Sequence, residues 1–296
     1  MTNATPYRGI GSMLLSTSTF LACDTLMKLA VADVPPLEVL VIRGAFATCW
    51  CLPLLLALGH RNEIALVVNR WVLLRAFCEA LAVMLFIVAL SRMPIGDLTA
   101  IMQTAPLIIV LVATFMWREA IGPLRAALIA LGFAGAVMVA QPGSAAASPL
   151  ALIAFPAAAL AAGRDLLSRK VPPHVPGMVT ALAILLVVLL SAAVTNAVFG
   201  RWIVPSGLHV LQLCCAGFFL MCGQFFVFMA YRLAPAGIVA PFSYTAALWA
   251  MLSGVAVFGD WPNSLGLAGI ALIVSSGIAV VWLGERARAQ TAARAV

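Results

Sequence analysis

Polar residues in this chain are sparse, and long apolar stretches separate them. The stretches run roughly from Gly9 to Ala32, Pro36 to Leu58, Trp71 to Leu90, Gly96 to Trp117 and Pro123 to Ala140, then from Leu150 to Ser168, Pro176 to Phe199, Leu208 to Tyr231, Gly237 to Phe258 and Ser264 to Leu283. They are continuous and do not alternate in period two, so helices are predicted and strands are not. Each is close to the ~20 residues that carry a helix across a bilayer. Pro35-Pro36, Pro94, Pro123, Pro172-Pro173, Pro235 and Pro262 mark the breaks, where a missing N–H is tolerated. The pattern predicts an all-α integral membrane protein of ten transmembrane helices with short connections. The first stretch is too long for a secretory signal, and no small-residue cleavage site ends it, so it is expected to stay as the first span.

Composition strengthens this reading. Of 296 residues, 64% are hydrophobic and 9% are charged. Soluble domains average about 45–50% and about 25%. A soluble enzyme, a nucleic-acid binder and a secreted disulfide scaffold are thereby excluded. The net charge of +7 does not form a patch, because Lys and Arg stand singly or in pairs between apolar stretches. Arg8, Arg61, Arg70, Arg118, Arg125, Arg169, Lys170, Arg232, Arg286, Arg288 and Arg294 fall on one side, against Lys28, Arg92 and Arg201 on the other. The positive-inside rule then puts both termini in the cytoplasm. The seven cysteines are scattered without a C-x-x-C pair, so no disulfide or metal site is expected.

The chain also repeats itself at an offset of 141. Met93-Pro94-Ile95-Gly96 maps onto Ala234-Pro235-Ala236-Gly237, Thr104-Ala105 onto Thr245-Ala246, Leu111 onto Leu252 and Glu119 onto Asp260. Ile129-Ala130-Leu131 maps onto Ile270-Ala271-Leu272, and Asp24-x-x-x-Lys28 onto Asp165-x-x-x-Arg169. Residues 1–140 form a first five-helix repeat, 141–149 a linker loop, 150–283 a second repeat and 284–296 a cytoplasmic tail. Five is odd, so the second repeat enters inverted. Inverted halves lend themselves to alternating access.

Five helices repeated as five, with Met93-Pro94-x-Gly96 leading into Glu119 and Ala234-Pro235-x-Gly237 leading into Asp260, resembles the drug/metabolite transporter superfamily in its EamA branch. Within it the chain is most similar to bacterial amino-acid exporters of the YddG type. The resemblance implies a monomeric ten-helix basket around a central cavity. Helices one, three, four, six, eight and nine would line the cavity, with five and ten peripheral. Asp260 stands where a Glu is usual and follows Gly259 instead of a basic residue, a departure from the pattern.

Charged residues inside spans are expensive and tend to be paired or functional. Asp24 and Asp165 are gate candidates. Lys28 and Arg169 lie four residues on, at snorkelling depth. Arg43 is a further gate candidate, with Asp24 as a possible partner. Arg75 and Glu79 are spaced i, i+4, so Glu79 either pairs with Arg75 or meets the cavity and binds substrate. Gln103, Tyr244, Ser243 and Gln224 lie near mid-helix and offer hydrogen bonds without permanent charge. Ser16 to Thr19 make a hydroxyl-rich turn, whose alternative is bonding to its own helix. Phe20, Phe86 and Trp249 are candidates for apolar cavity walls. The pairs Gly132 and Ala136, and Ala250 and Gly254, are spaced for close helix packing.

The chemistry of an enzyme is missing. Neither lysine follows a glycine, so there is no P-loop, and no His pair or intramembrane Ser–His pair occurs. No cofactor and no nucleic-acid partner are expected; the partners are a small-molecule substrate and the lipid bilayer. The expected function is secondary export of small metabolites, foremost amino acids of broad range, including aromatic and neutral ones. The alternative is export of hydrophobic cations, which needs an unpaired carboxylate in the cavity.

Overall fold

The computed structural model describes residues 6–90, 101–117, 122–140, 151–259 and 263–294. The Met93–Gly96 signal, Glu119, Asp260 and the 141–149 linker lie outside them. The described residues contain no strand. The helices are α1 (Pro6–Ala30), α2 (Pro36–Ala57), α3 (Arg70–Leu90), α4 (Ala105–Trp117), α5 (Pro123–Ala140), α6 (Ala151–Leu167), α7 (Gly177–Phe199), α8 (Gly207–Leu233), α9 (Ala236–Val239), α10 (Thr245–Ser253) and α11 (Ser264–Arg294). Five segments are long and apolar enough to cross a bilayer: Tyr7–Ala30, Pro36–Ala57, Gly177–Phe199, Gly207–Leu233 and Ala240–Val257.

Proline and hydroxyl chemistry set several boundaries. Pro36 opens α2, Pro176 precedes α7, and Pro235 precedes α9. Ser206 caps α8 by accepting from the His209 N–H. Three elements differ from the sequence reading. The stretch from Gly237 to Phe258 is not one smooth helix: Ala240–Tyr244 is a 3₁₀ turn and Gly254–Phe258 a π turn. Pro241 supplies no N–H to an α ladder there, and Gly259, at φ 74°, ends the segment in the left-handed region. Helix α11 runs on to Arg294, through most of the expected tail. Between α2 and α3 a 3₁₀ segment, His60–Val68, packs Ile64, Leu66 and Val67 onto the core.

Helix α1 lies along α8, α3 along α6, and α5 along α11. Helix α2 packs on both α7 and α8, α3 also packs on α7, and α1 and α6 touch α10 and α4 respectively. These pairings obey an exchange rule. Swapping α1 with α6, α2 with α7, α3 with α8, α4 with α10 and α5 with α11 turns each pair into another observed pair or into itself. Gly217 shows how close α8 comes to α2. A Cβ there would stand 2.7 Å from the Ala47 nitrogen and 2.9 Å from the Arg43 carbonyl oxygen.

Candidate functional site

A cavity of about 290 Å³ lies among α1, α2, α3, α6, α7 and α8, with Met102 also on its wall. Small-molecule sites span about 300–1,000 Å³, so it suits one compact solute. Phe20, Phe86, Val83, Ile184, Leu185 and Leu220 give it apolar faces, and Asp24, Arg43, Glu79, Arg164 and Gln224 supply polar ones. Four of its lining pairs stand at the repeat offset of 141: Phe20 with Ala161, Arg43 with Ile184, Glu79 with Leu220 and Val83 with Gln224.

One end of the cavity is floored by charge. Glu79 of α3 reaches two other helices. Its Oε2 accepts from Arg164 Nη1 of α6 at 2.5 Å, and its Oε1 accepts from Gln224 Nε2 of α8 at 2.6 Å. Turning the Gln224 amide round would set oxygen against carboxylate, so the donor assignment follows from the network. Arg164 gives its other edge to Asp165, Nε to Oδ1 at 2.8 Å and Nη2 to Oδ2 at 3.1 Å. Behind it Arg75 is fully buried. Its Nε donates to Ser168 Oγ at 2.9 Å, and its guanidinium lies 5.5 Å from the Phe228 ring centroid. Arg232 lies 5.3 Å from the same ring and donates to the carbonyls of Val175 and Pro173. Arg75 and Arg164 balance Glu79 and Asp165, so the cluster is neutral as a whole. Neutrality matters, because a buried charge left without its partner is strongly destabilising.

The opposite end is less tightly bonded. Asp24 is exposed to the cavity and has no hydrogen-bond or ion-pair partner among the described residues. Arg43 Nη1 donates to Met27 Sδ at 2.8 Å and Cys23 Sγ at 3.6 Å, and its Nε has no partner among the described residues. The expected Arg43–Asp24 pair is therefore not made, although both groups line the same cavity.

Other expected residues sort as follows. Phe20, Phe86, Glu79 and Gln224 line the cavity, together with Asp24 and Arg43. Gln103 is buried and lies off its wall. Ser243 donates back to the Ala240 carbonyl at 2.6 Å, and Tyr244 is buried against Gly132 and Phe133 at the α5–α11 side. The 3₁₀ turn containing both rotates their faces away from the position a continuous α-helix would give. Trp249 Nε1 donates to Thr17 Oγ1 at 3.2 Å instead of facing the cavity. Asp165 pairs with Arg164 and not with Arg169, because α6 ends at Leu167 and Arg169 sits beyond the last turn. Glu79 meets the cavity, and its bonds cross to α6 and α8 instead of running to Arg75.

Ser16 donates to the Gly223 carbonyl, while Ser18 and Thr19 bond their own helix. Thr17 shares a hydrogen bond with Thr245 at 3.0 Å, and Thr25 shares one with Ser253 at 2.6 Å. Equal steps of eight on both helices make α1 and α10 parallel and in register.

Two features escaped the sequence reading. Arg164 was given no role from the sequence, yet it holds the floor together. The signal for it was charge balance: two carboxylates and two arginines in α3 and α6 need one another. Helices α2 and α7 also line the cavity, whereas, among the described residues, none of Ala236–Phe258, α5 or α11 lines it.

Comparison with known proteins adds the class. Residues 7–141 match the EamA-like transporter family. The chain is 26% identical over 289 residues to a riboflavin transporter of Vibrio cholerae serotype O1, covering 96% of both chains. It is 23% identical to an S-adenosylmethionine uptake transporter of Rickettsia felis, covering 94% of both. It is also 25% identical to the pseudopaline exporter CntI of Pseudomonas aeruginosa, covering 92% of this chain and 95% of that one. A solved crystal structure has the same fold, with a TM-score of 0.81 at 20% identity, covering 95% of this chain and 98% of that chain. These likenesses support a multi-pass membrane transporter of small metabolites, and they do not single out amino-acid export.

Proposed function

We infer that the chain is an EamA-type secondary transporter whose central cavity opens alternately to the two faces of a bacterial inner membrane. In this reading it is a monomer of two inverted five-helix repeats with both termini cytoplasmic, and it performs no covalent chemistry. The observation that carries the reading is the cavity itself: Phe20 and Ala161, Arg43 and Ile184, Glu79 and Leu220, and Val83 and Gln224 all line it at the repeat offset of 141. A solute on the axis between two related halves can be passed from one face to the other when the halves rock. The Glu79–Arg164–Gln224 floor closes one face in this conformation.

Phe20 and Phe86 suit a flat apolar ring, and the neighbouring carboxylate, guanidinium and amide suit a polar rim. A flavin fits this description, in line with the Vibrio relative. An amino acid with a large neutral or aromatic side chain fits it also, and Asp24 and Arg43 favour that second reading because they oppose an ammonium and a carboxylate group. Hydrophobic-cation export needs an unpaired carboxylate in the cavity: Glu79, bonded to Arg164, does not supply one, whereas Asp24, without an ion-pair partner among the described residues, does. The test is flux into proteoliposomes of riboflavin, S-adenosylmethionine and a panel of amino acids, with and without a pH gradient and in both directions. Saturable flux of at least one class is expected. Flux no greater than in empty liposomes for every compound would refute the reading.

A further inference from the structure

Arg75 is wholly buried yet spends only one of its five N–H donors. Its Nε bonds Ser168, while Nη1 and Nη2 have no hydrogen-bond partner among the described residues. Stacking on Phe228 offsets part of that deficit and leaves the in-plane donors unused. Glu79 stands four residues further along the same helix, on the same face.

The present partners of Glu79 are both on other helices, Arg164 on α6 and Gln224 on α8. If this end of the bundle opens, α3 parts from α6 and α8, and Glu79 loses both at once. A bare carboxylate would then remain in the span. The same movement frees Arg75 from Ser168 of α6. Arg75 travels with Glu79 because both ride on α3.

We propose that Arg75 is the reserve partner of Glu79: when this end opens, the carboxylate exchanges Arg164 for the unspent terminal nitrogens of Arg75. This rests on the alternating-access reading above. Arg164 keeps Asp165 in either state, so neither carboxylate of the cluster is stranded before or after. The exchange belongs to one end only, because the repeat offset puts Ala216 and Leu220 at the equivalents of Arg75 and Glu79. The two faces of the transporter are thus gated by different chemistry.

The test places bio-orthogonal spin labels at Val68 and His174, both exposed at this end, in the full chain in lipid nanodiscs. Pulsed electron resonance then reads the separation of α3 from the α6–α7 connection. The parent protein should show a short and a longer distance. Arg75→Gln should reduce the longer population at least tenfold, and adding Glu79→Gln should restore it, because the carboxylate that needs a partner is gone. If Arg75→Gln does not reconstitute, Glu79→Gln alone should raise the longer population and Arg75→Lys should retain part of it. An unchanged distribution in Arg75→Gln, or a loss that Glu79→Gln does not relieve, overturns the proposal. A parent with a single short distance under every condition overturns the transport reading and this proposal with it.

Discussion

Phe20 on α1 closes over Gly223 on α8 so tightly that a Cβ on Gly223 would stand 2.7 Å from the ring. The ring is also a cavity wall. One ring thus joins α1, α8 and the cavity wall. Gly223→Ala must push the ring aside, and overpacking of this kind costs about 1–3 kcal/mol. Substrate affinity should fall about tenfold, corresponding to ~1.4 kcal/mol. Binding titration against the parent protein checks this.

The charged floor should respond unequally to removal of its members. Arg164→Gln removes the present partner of both Glu79 and Asp165, of which Arg75 can take up only Glu79 by the exchange proposed above, whereas Glu79→Gln leaves Arg164 still bound to Asp165. Breaking a buried pair from one side costs about 3–5 kcal/mol. Arg164→Gln should reach that range and Glu79→Gln should fall short of it. Thermal unfolding in detergent gives the order directly.

The α1–α10 seam should be weak and local. Hydrogen bonds between membrane helices average ~0.6 kcal/mol in double-mutant cycles. The cycle Thr25→Val with Ser253→Ala should return a coupling near that size, because the two hydroxyls meet at 2.6 Å. The cycle Thr25→Val with Ser275→Ala should return none, since Ser275 is exposed on α11 and bonds the Leu272 carbonyl.

Asp24 distinguishes the two substrate readings. It makes no hydrogen bond or salt bridge among the described residues, so Asp24→Asn should leave the melting temperature unchanged or raise it. Apparent affinity for ammonium-bearing substrates should drop about tenfold, roughly one charge-assisted contact. Neutral ring compounds should lose less than that. Competition binding with a flavin and an amino acid on the same sample measures both.

Much of this architecture was legible in the sequence, because apolar length and proline position act locally. The offset of 141 was legible too, and it relates cavity residues such as Glu79 and Leu220 that no motif connects. Side-chain partners were harder to read. Asp165 and Arg169 satisfy i, i+4 spacing, yet α6 stops between them, and helix ends are set by the last turn more than by pattern. Tyr244 and Ser243 were placed by assuming an α-helix through Pro241, and the 3₁₀ turn there rotated them out of line. Arg164 was passed over because a single span does not reveal which charges on a neighbouring helix it must neutralise.

The central claim is tested most directly by counterflow. Proteoliposomes loaded with unlabelled substrate should take up the labelled compound several-fold faster than unloaded ones, with saturation on both faces. Entry that is indifferent to internal substrate, or equal to that of protein-free liposomes, would contradict a single cavity presented alternately to the two sides.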